Sequence, residues 1–413
     1  MDDRVSRADQ HDNLDFPNRE SKQAEPSAVL IAVFAVAAGA LVANLYYAQP
    51  LLLSIASDIG VTPDLAGAIV GTAQIGYGVG LFFLVSLADL VENKRLVLTM
   101  LSLTVIGLVG VATATSAWLF FAASFLVGLC STGAQVLVPF IAHLVPEARR
   151  GRIIGSVMAG LLTGIMLARP IALFIAASFG WRAVFWCSAG LMLLIAATLT
   201  RLMPARQPPR DNHYLQILQS MVGLFRSMPL LRRRALYQAL MFVAFSMFWT
   251  AVPIMLAERF GLSQVGIGLF ALAGAGGALA APIAGRFADR GYVRSMTAAA
   301  MATLALTFYA TGIATDWKWL AALVVLTILL DAAIQTNQIA SQRVIFSGPK
   351  QTAGRVNAIY MTINFIGGAI GSLLGTVSYH FGGWTMTSAI GATIGILLLA
   401  IFFTERPELA VSE

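Results

Sequence analysis

Asp331 lies in the stretch TILLDAAIQTNQ (327–338), preceded from Ala321 onward by nothing but Ala, Leu, Val, Thr and Ile. Inside a membrane a carboxylate in so apolar a run marks a pathway for substrate, ion or proton. Its neighbours at helical spacing are polar. Thr327, Asp331, Gln335, Gln338 and Gln342 are separated by 4, 4, 3 and 4 residues and share one helix face. Such a stripe should turn toward a water-filled cleft, where desolvation disfavours the charged form of an acid and lets it trade a proton near neutral pH. Asp331 is therefore the expected proton-coupling residue, with burial for packing as the competing reading. Arg169 is the second charge embedded in apolar sequence. It stays protonated in any setting, so it either faces a cavity and attracts an anionic group or snorkels to the headgroups. Counting helix rise puts Arg169 roughly 25 Å from the cytoplasmic end of its helix and Asp331 about 20 Å from the outer end of its own. That depth difference argues against a direct ion pair.

Neutral polar and aromatic residues extend the candidate substrate site. Asn44, Tyr46, Tyr47 and Gln49 precede Pro50 in the first apolar run and could hydrogen-bond a substrate, or simply form a proline-kinked helix end with interfacial tyrosines. Phe242, Phe245 and Trp249 follow i, i+3, i+7, a wall suited to aromatic or lipophilic solutes or to ordinary core and lipid contact. Gln135, and Asn357, Tyr360 and Asn364 on one helix face, complete the polar set.

The elements that position these groups follow from composition. In 413 residues, 58% are hydrophobic and 11% charged, far from the roughly 25% charged norm of soluble domains. Uncharged runs recur at 28–57, 65–88, 96–146, 153–168, 183–200, 235–257, 260–285, 295–315, 319–330 and 356–404. About 20 apolar residues cross a bilayer as a helix, so the two longest runs each hold two spans, turning near Ala114–Ala117 and His380–Trp384. Twelve helices result, an all-α membrane bundle, since the runs are too long and uniform for barrel strands.

Charge placement supplies an orientation. Lys and Arg gather on alternate loops, with only Arg182, Arg259 and Lys318 on the opposite side, so the net charge of +7 reflects the positive-inside rule rather than a nucleic-acid partner. Both termini are then expected in the cytoplasm. Residues 1–27 form a polar, acidic tail without the features of a signal peptide. Cys130 and Cys187 supply neither a disulfide framework nor zinc spacing, and no metal site is expected. An internal repeat is also visible. Asp89 and Asp289 are 200 apart, Ala56-x-x-x-Gly60 and Ala257-x-x-x-Gly261 are 201 apart, and Pro146, Gly151-Arg152 and Trp181 recur 203 later. The chain therefore divides into a tail, a six-helix half at 28–200, a cytoplasmic linker at 201–234 with an amphipathic helix over Tyr214–Met228, a second half at 235–404, and a tail at 405–413. Glycines concentrate in helices 2, 5, 8 and 11, where close helix approach in lipid requires small residues.

Two six-helix repeats, a long inner linker and acidic-basic turns after helices 2 and 8 resemble the major facilitator superfamily. NLYYAQPLL (44–52), QVLVPFIAHLVPEARRGR (135–152), FGWRAVFW (179–186) and YMTINFIGGAIGSLLG (360–375) are similar to a bacterial branch of drug and metabolite exporters. The resemblance implies a cytoplasmic gating cluster of Asp89, Lys94, Arg95, Asp289, Arg290 and Arg294, latching the halves together, and places helix 10 along a central cavity. Ser124 and the Ala168-Arg169-Pro170 sequence stand where that branch often carries an arginine and a Gly-Pro pair. The expected protein is a monomeric transporter of the bacterial inner membrane, in contact with lipid, working by alternating access and driven by the proton gradient without a cofactor. Its expected task is efflux of small hydrophobic drugs or metabolites. The alternative is uptake or export of a sugar, amino-acid-like compound or organic anion. No Gly-Lys dipeptide exists for a P-loop, and no H-E-x-x-H or G-x-S-x-G suggests an enzyme.

Overall fold

The computed structural model describes residues 27–208, 213–278, 280–349 and 352–405. Residues 1–26 and 406–413 of the expected tails, and residues 209–212 of the linker, lie outside them. Every long element is a helix, as it must be where no water meets the backbone. Span 1 comprises Ala28–Ala43 and Leu52–Ile59, separated by turns and a short 3-10 segment at Gln49–Leu51. Spans 2 to 6 are Pro63–Asp89, Asn93–Thr113, Ala117–Leu144, Arg149–Phe179 and Trp181–Leu202. The linker carries a helix over Tyr214–Ser227. Spans 7 to 10 are Pro229–Phe260, Gln264–Asp289, Val293–Asp316 and Leu320–Ile345. The 51-residue helix Ala353–Phe403 is spans 11 and 12 joined across Gly383, whose φ of 58° and ψ of −157° are not helical. Together these make the twelve crossings and the two turns expected from hydropathy.

The repeat is visible in backbone conformation. Gly60 and Gly261 end spans 1 and 7 with φ of 75° and 64°, while Gly180 and Gly383, with φ of 77° and 58°, precede Trp181 and Trp384. Left-handed φ is open to glycine at no steric cost, so both pairs are turn devices duplicated with the half.

Two seams join the halves. Span 2 lies along span 11 so closely that the Gly67 amide donates to Thr376 Oγ1 at 3.1 Å and that hydroxyl donates to the Asp64 carbonyl at 2.7 Å. Span 5 meets span 8 where Phe174 packs over Gly268. Both contacts lie at the end remote from the linker. Toward the linker, a cavity of about 360 Å³ separates the halves, lined by Asp89, Gln135, His143, Arg206, Ile217 and Arg355 among others. The linker helix caps this end. Ile217 and Met221 are buried among residues of spans 7, 10 and 11, Tyr214 donates to the Phe83 carbonyl, and Arg355 donates to Ser220.

Candidate functional site

A smaller cavity of about 90 Å³ lies at mid-depth between the halves, walled by Tyr46, Arg169, Phe242, Phe245, Asp331, Gln335 and Gln338 with aliphatic residues of span 5. Both embedded charges meet here, and both are almost fully buried, Arg169 at 4% and Asp331 at 7% exposure. Trp249 stands between them. Its indole Nε1–H donates to Asp331 Oδ1 at 3.0 Å, while the Arg169 guanidinium sits over its ring at 4.2 Å. Tyr46 and Phe245 flank the same cation at 5.0 and 5.4 Å. Desolvated cation–π contacts reach about 2 kcal/mol each, which offsets part of the cost of burying a guanidinium.

The expected difference in depth is corrected. Measured from the shared, linker-remote ends, Arg169 is ten residues in from Phe179 and Asp331 eleven in from Leu320, or about 15 and 16 Å. Span 5 is long and overshoots toward the linker, so counting from that end exaggerated the separation. Arg169 faces the cavity and does not snorkel. Helix approach also matters. Span 8 passes Asp331 through Gly274 and Gly277, and a methyl group on Gly274 would come 2.8 Å from Trp249 and 3.0 Å from Asp331 Oδ2.

Behind Arg169 runs a buried relay that sequence reasoning caught only at Gln49. Arg169 Nε donates to Gln49 Oε1 at 2.9 Å, and Gln49 Nε2 donates to Thr250 Oγ1 at 3.3 Å. Thr250 donates to Ser372 at 3.4 Å and Ser372 to Gln74 Oε1 at 3.5 Å; Gln74 Nε2 donates to Ser246 at 3.2 Å. The chain crosses between halves. Gln49 and Thr250 are also 201 residues apart, the repeat spacing already visible in the sequence, which was the one signal that could have found Thr250.

Other candidates sit elsewhere. Asn44 accepts from Ser188 at 2.6 Å and turns toward span 6, and Tyr47 is buried without lining the central cavity. The break at Asn44–Ala48, ahead of Pro50, aims successive side chains at different helices. Gln135 donates to Tyr77 at 3.2 Å and lines the larger, linker-end cavity. Asn357, Tyr360 and Asn364 do not line the central cavity; Tyr360 is packed with the linker helix instead. In this conformation the described bonds of the expected gating cluster stay within one half. Arg95 pairs with Glu92 at 2.8 Å, Asp289 with Arg343 at 3.6 Å, and Arg294 reaches the Glu405 carbonyl. Asp89 lines the linker-end cavity, Lys94 is half-buried and Arg290 is exposed.

Two six-helix halves around a charged central cavity define a class of membrane transporters, and the comparisons agree. Residues 29–232 and 234–413 match the model of the Major Facilitator Superfamily, and the chain belongs to that family. It is 40% identical over 380 residues to "Uncharacterized transporter YgaY" of Escherichia coli O157:H7, covering 92% of this chain and 96% of that one. It is 30% identical to "Probable transporter SCO4007" of Streptomyces coelicolor over 91% of this chain and 87% of the relative. Among solved structures, a D-xylose–proton symporter superposes with a TM-score of 0.75 at 16% identity, over 93% of this chain and 99% of that one. The protein is thus a multi-pass membrane transporter rather than an enzyme.

Proposed function

We propose that the protein is a proton-coupled secondary transporter of the bacterial inner membrane, binding a small solute in the central cavity and exchanging its coupling proton at Asp331. The observation that carries this reading is the buried carboxylate held by Trp249 beside Arg169, in a cavity shared by both halves. An intramembrane acid so placed is exposed to water on alternate sides as the halves rock about the site. The linker end is cytoplasmic, so the conformation is closed to the outside, with its larger cavity on the inner side beneath the linker helix. Tyr46, Phe242 and Phe245 form the wall against an apolar or aromatic part of the solute, and Gln335 and Gln338 supply hydrogen bonds. The chain works as a monomer, with the proton gradient in place of a cofactor. Export is the direction favoured by the resemblance to drug and metabolite exporters, whereas a cavity of about 90 Å³ favours small metabolites over drug-sized molecules.

The test is flux into proteoliposomes under an imposed pH gradient, across cationic dyes, neutral antibiotics, sugars and organic anions. Asp331→Asn is expected to keep expression and binding but to lose gradient-driven accumulation. Wild-type accumulation in that variant discards the coupling role.

A further inference from the structure

We infer that the solute is a small organic acid bound in its ionised form, and that one proton enters the cavity with each anion. This names the substrate class of the site above and rests on the transport reading. Arg169 carries the first part. Its Nε is committed to Gln49, three rings surround the guanidinium, and Nη2 is buried with no hydrogen-bond partner. An unmet donor on a buried cation carries a desolvation penalty that a bound acceptor would relieve, and Arg169 is part of the cavity wall. The group that satisfies a planar guanidinium donor best is a carboxylate in the same plane. Asp331 does not serve as that group, because the Trp249 ring lies between the two side chains and takes up Oδ1. The body of the acid meets a flat apolar surface, since Phe242 and Phe245 stack at 5.1 Å with an interplanar angle of 12°.

Charge balance carries the second part. The cavity lining holds one cation and one acid. Asp331 is faced by Arg169 from span 5, Tyr46 from span 1 and Trp249 from span 7, while among the described residues span 8 meets it at Gly274 and Gly277. A bound anion takes the positive charge for itself and leaves the site with one uncompensated negative charge in low dielectric. Buried groups in that position neutralise rather than stay ionised, and a proton on Asp331 restores balance; Arg169 and Tyr46 offer no alternative acceptor. Anion and proton therefore occupy the site together and cross in the same direction, so the loaded step moves no net charge, and an inward proton gradient drives it as uptake rather than as the export that the family resemblance favours. A neutral amide leaves Nη2 with a weaker acceptor, and an ammonium ion adds a second positive charge beside it.

The experiment titrates the purified full-length protein with benzoate, benzamide and benzylammonium, three near-isosteres of different charge. Calorimetry at pH 7 in buffers of different ionisation enthalpy counts the protons taken up. Wild type is expected to bind benzoate at least tenfold more tightly than the other two, with net uptake of a fraction of a proton up to one per benzoate, rising as the pH is raised and less of Asp331 is protonated beforehand. Arg169→Met should lose benzoate selectivity and Arg169→Lys should keep part of it, each checked by its melting curve. Asp331→Asn should bind benzoate with no proton uptake. Equal affinity for benzamide, absence of benzoate binding, or unchanged selectivity in a folded Arg169→Met overturns the substrate class, whatever the flux result for Asp331→Asn. Benzoate binding without proton uptake in wild type overturns the linkage. If benzoate binds as expected while Asp331→Asn still accumulates solute, the coupling assignment fails and the anion site stands.

Discussion

Gly67→Ala tests whether the seam remote from the linker belongs to one conformation only. A β-carbon at that position would lie 2.6 Å from the carbonyl carbon of Ser372 and 2.8 Å from Leu373 Cα, and would overlap the Ser372 oxygen, where ordinary contact begins at 3.4 Å. The obstacle is backbone, so no side chain can rotate aside and spans 2 and 11 must part by close to an ångström. Overpacking of this kind typically costs about 1–3 kcal/mol. Parting also stretches the bonds that Thr376 makes to Gly67 and Asp64. If the contact exists only in the state closed at the linker-remote end, that energy goes into the conformational equilibrium and shifts it about 5- to 150-fold toward the state open there. Spin labels at exposed Leu65 and Phe381, with Cys130 and Cys187 replaced, read the separation directly. The variant should show a larger population at long distance than the unmutated labelled protein. A folded variant with an unchanged distance distribution would refute the idea that the seam opens during transport.

Two further changes probe the cavity and the rim remote from the linker. Gly274→Ala meets the far ends of two side chains rather than backbone, so the fold should survive, but Trp249 is pushed off Asp331 and gradient-driven flux should fall about tenfold, the worth of one hydrogen bond to a charged group; wild-type flux would contradict the role of that bond. Asp58 lies past the apolar stretch ending at residue 57, and the Trp181 indole at 2.9 Å and then Arg182 hold its carboxyl below the usual carboxylate range. A folded value below the unfolded one means stability that is complete above about pH 4 and fades as pH falls further, through the folded value. Wild type should therefore melt above Asp58→Asn at pH 7, with the gap narrowing only in stronger acid; a gap already closed at pH 5 would contradict this.

Much of the fold could be read directly from the sequence because lipid leaves the backbone few choices. Run lengths alone located the turn between Thr113 and Ala117 and the break at Gly383, and constant offsets exposed the duplication. The meeting of Asp331 with Arg169 was less accessible. Their relative depth depends on how far span 5 extends beyond the bilayer, and apolar pattern does not encode that overshoot. The polar stripe on span 10 was legible down to Gln335 and Gln338 because one straight helix keeps its faces in register. Span 1 was not, since its break at Asn44 rotates the following residues out of helical phase and sends Asn44 and Tyr46 to different neighbours. Asn357, Tyr360 and Asn364 share a face as expected, but the linker helix occupies part of the space beside it, and no local signal in span 11 announces that packing.

The Gln49–Thr250 bond joins matching positions of the two repeats, so it lies close to the axis that relates them. That axis runs along the membrane normal, and a point on it at mid-depth, where the two halves rock about the site, travels least. Arg169, tethered to Gln49 by its Nε, is thereby moored near the fulcrum: if it anchors the solute as proposed, the anchor can stay nearly still while the doorways at either end trade places, and the protein has no need to carry its passenger through the membrane in order to release it on the other side.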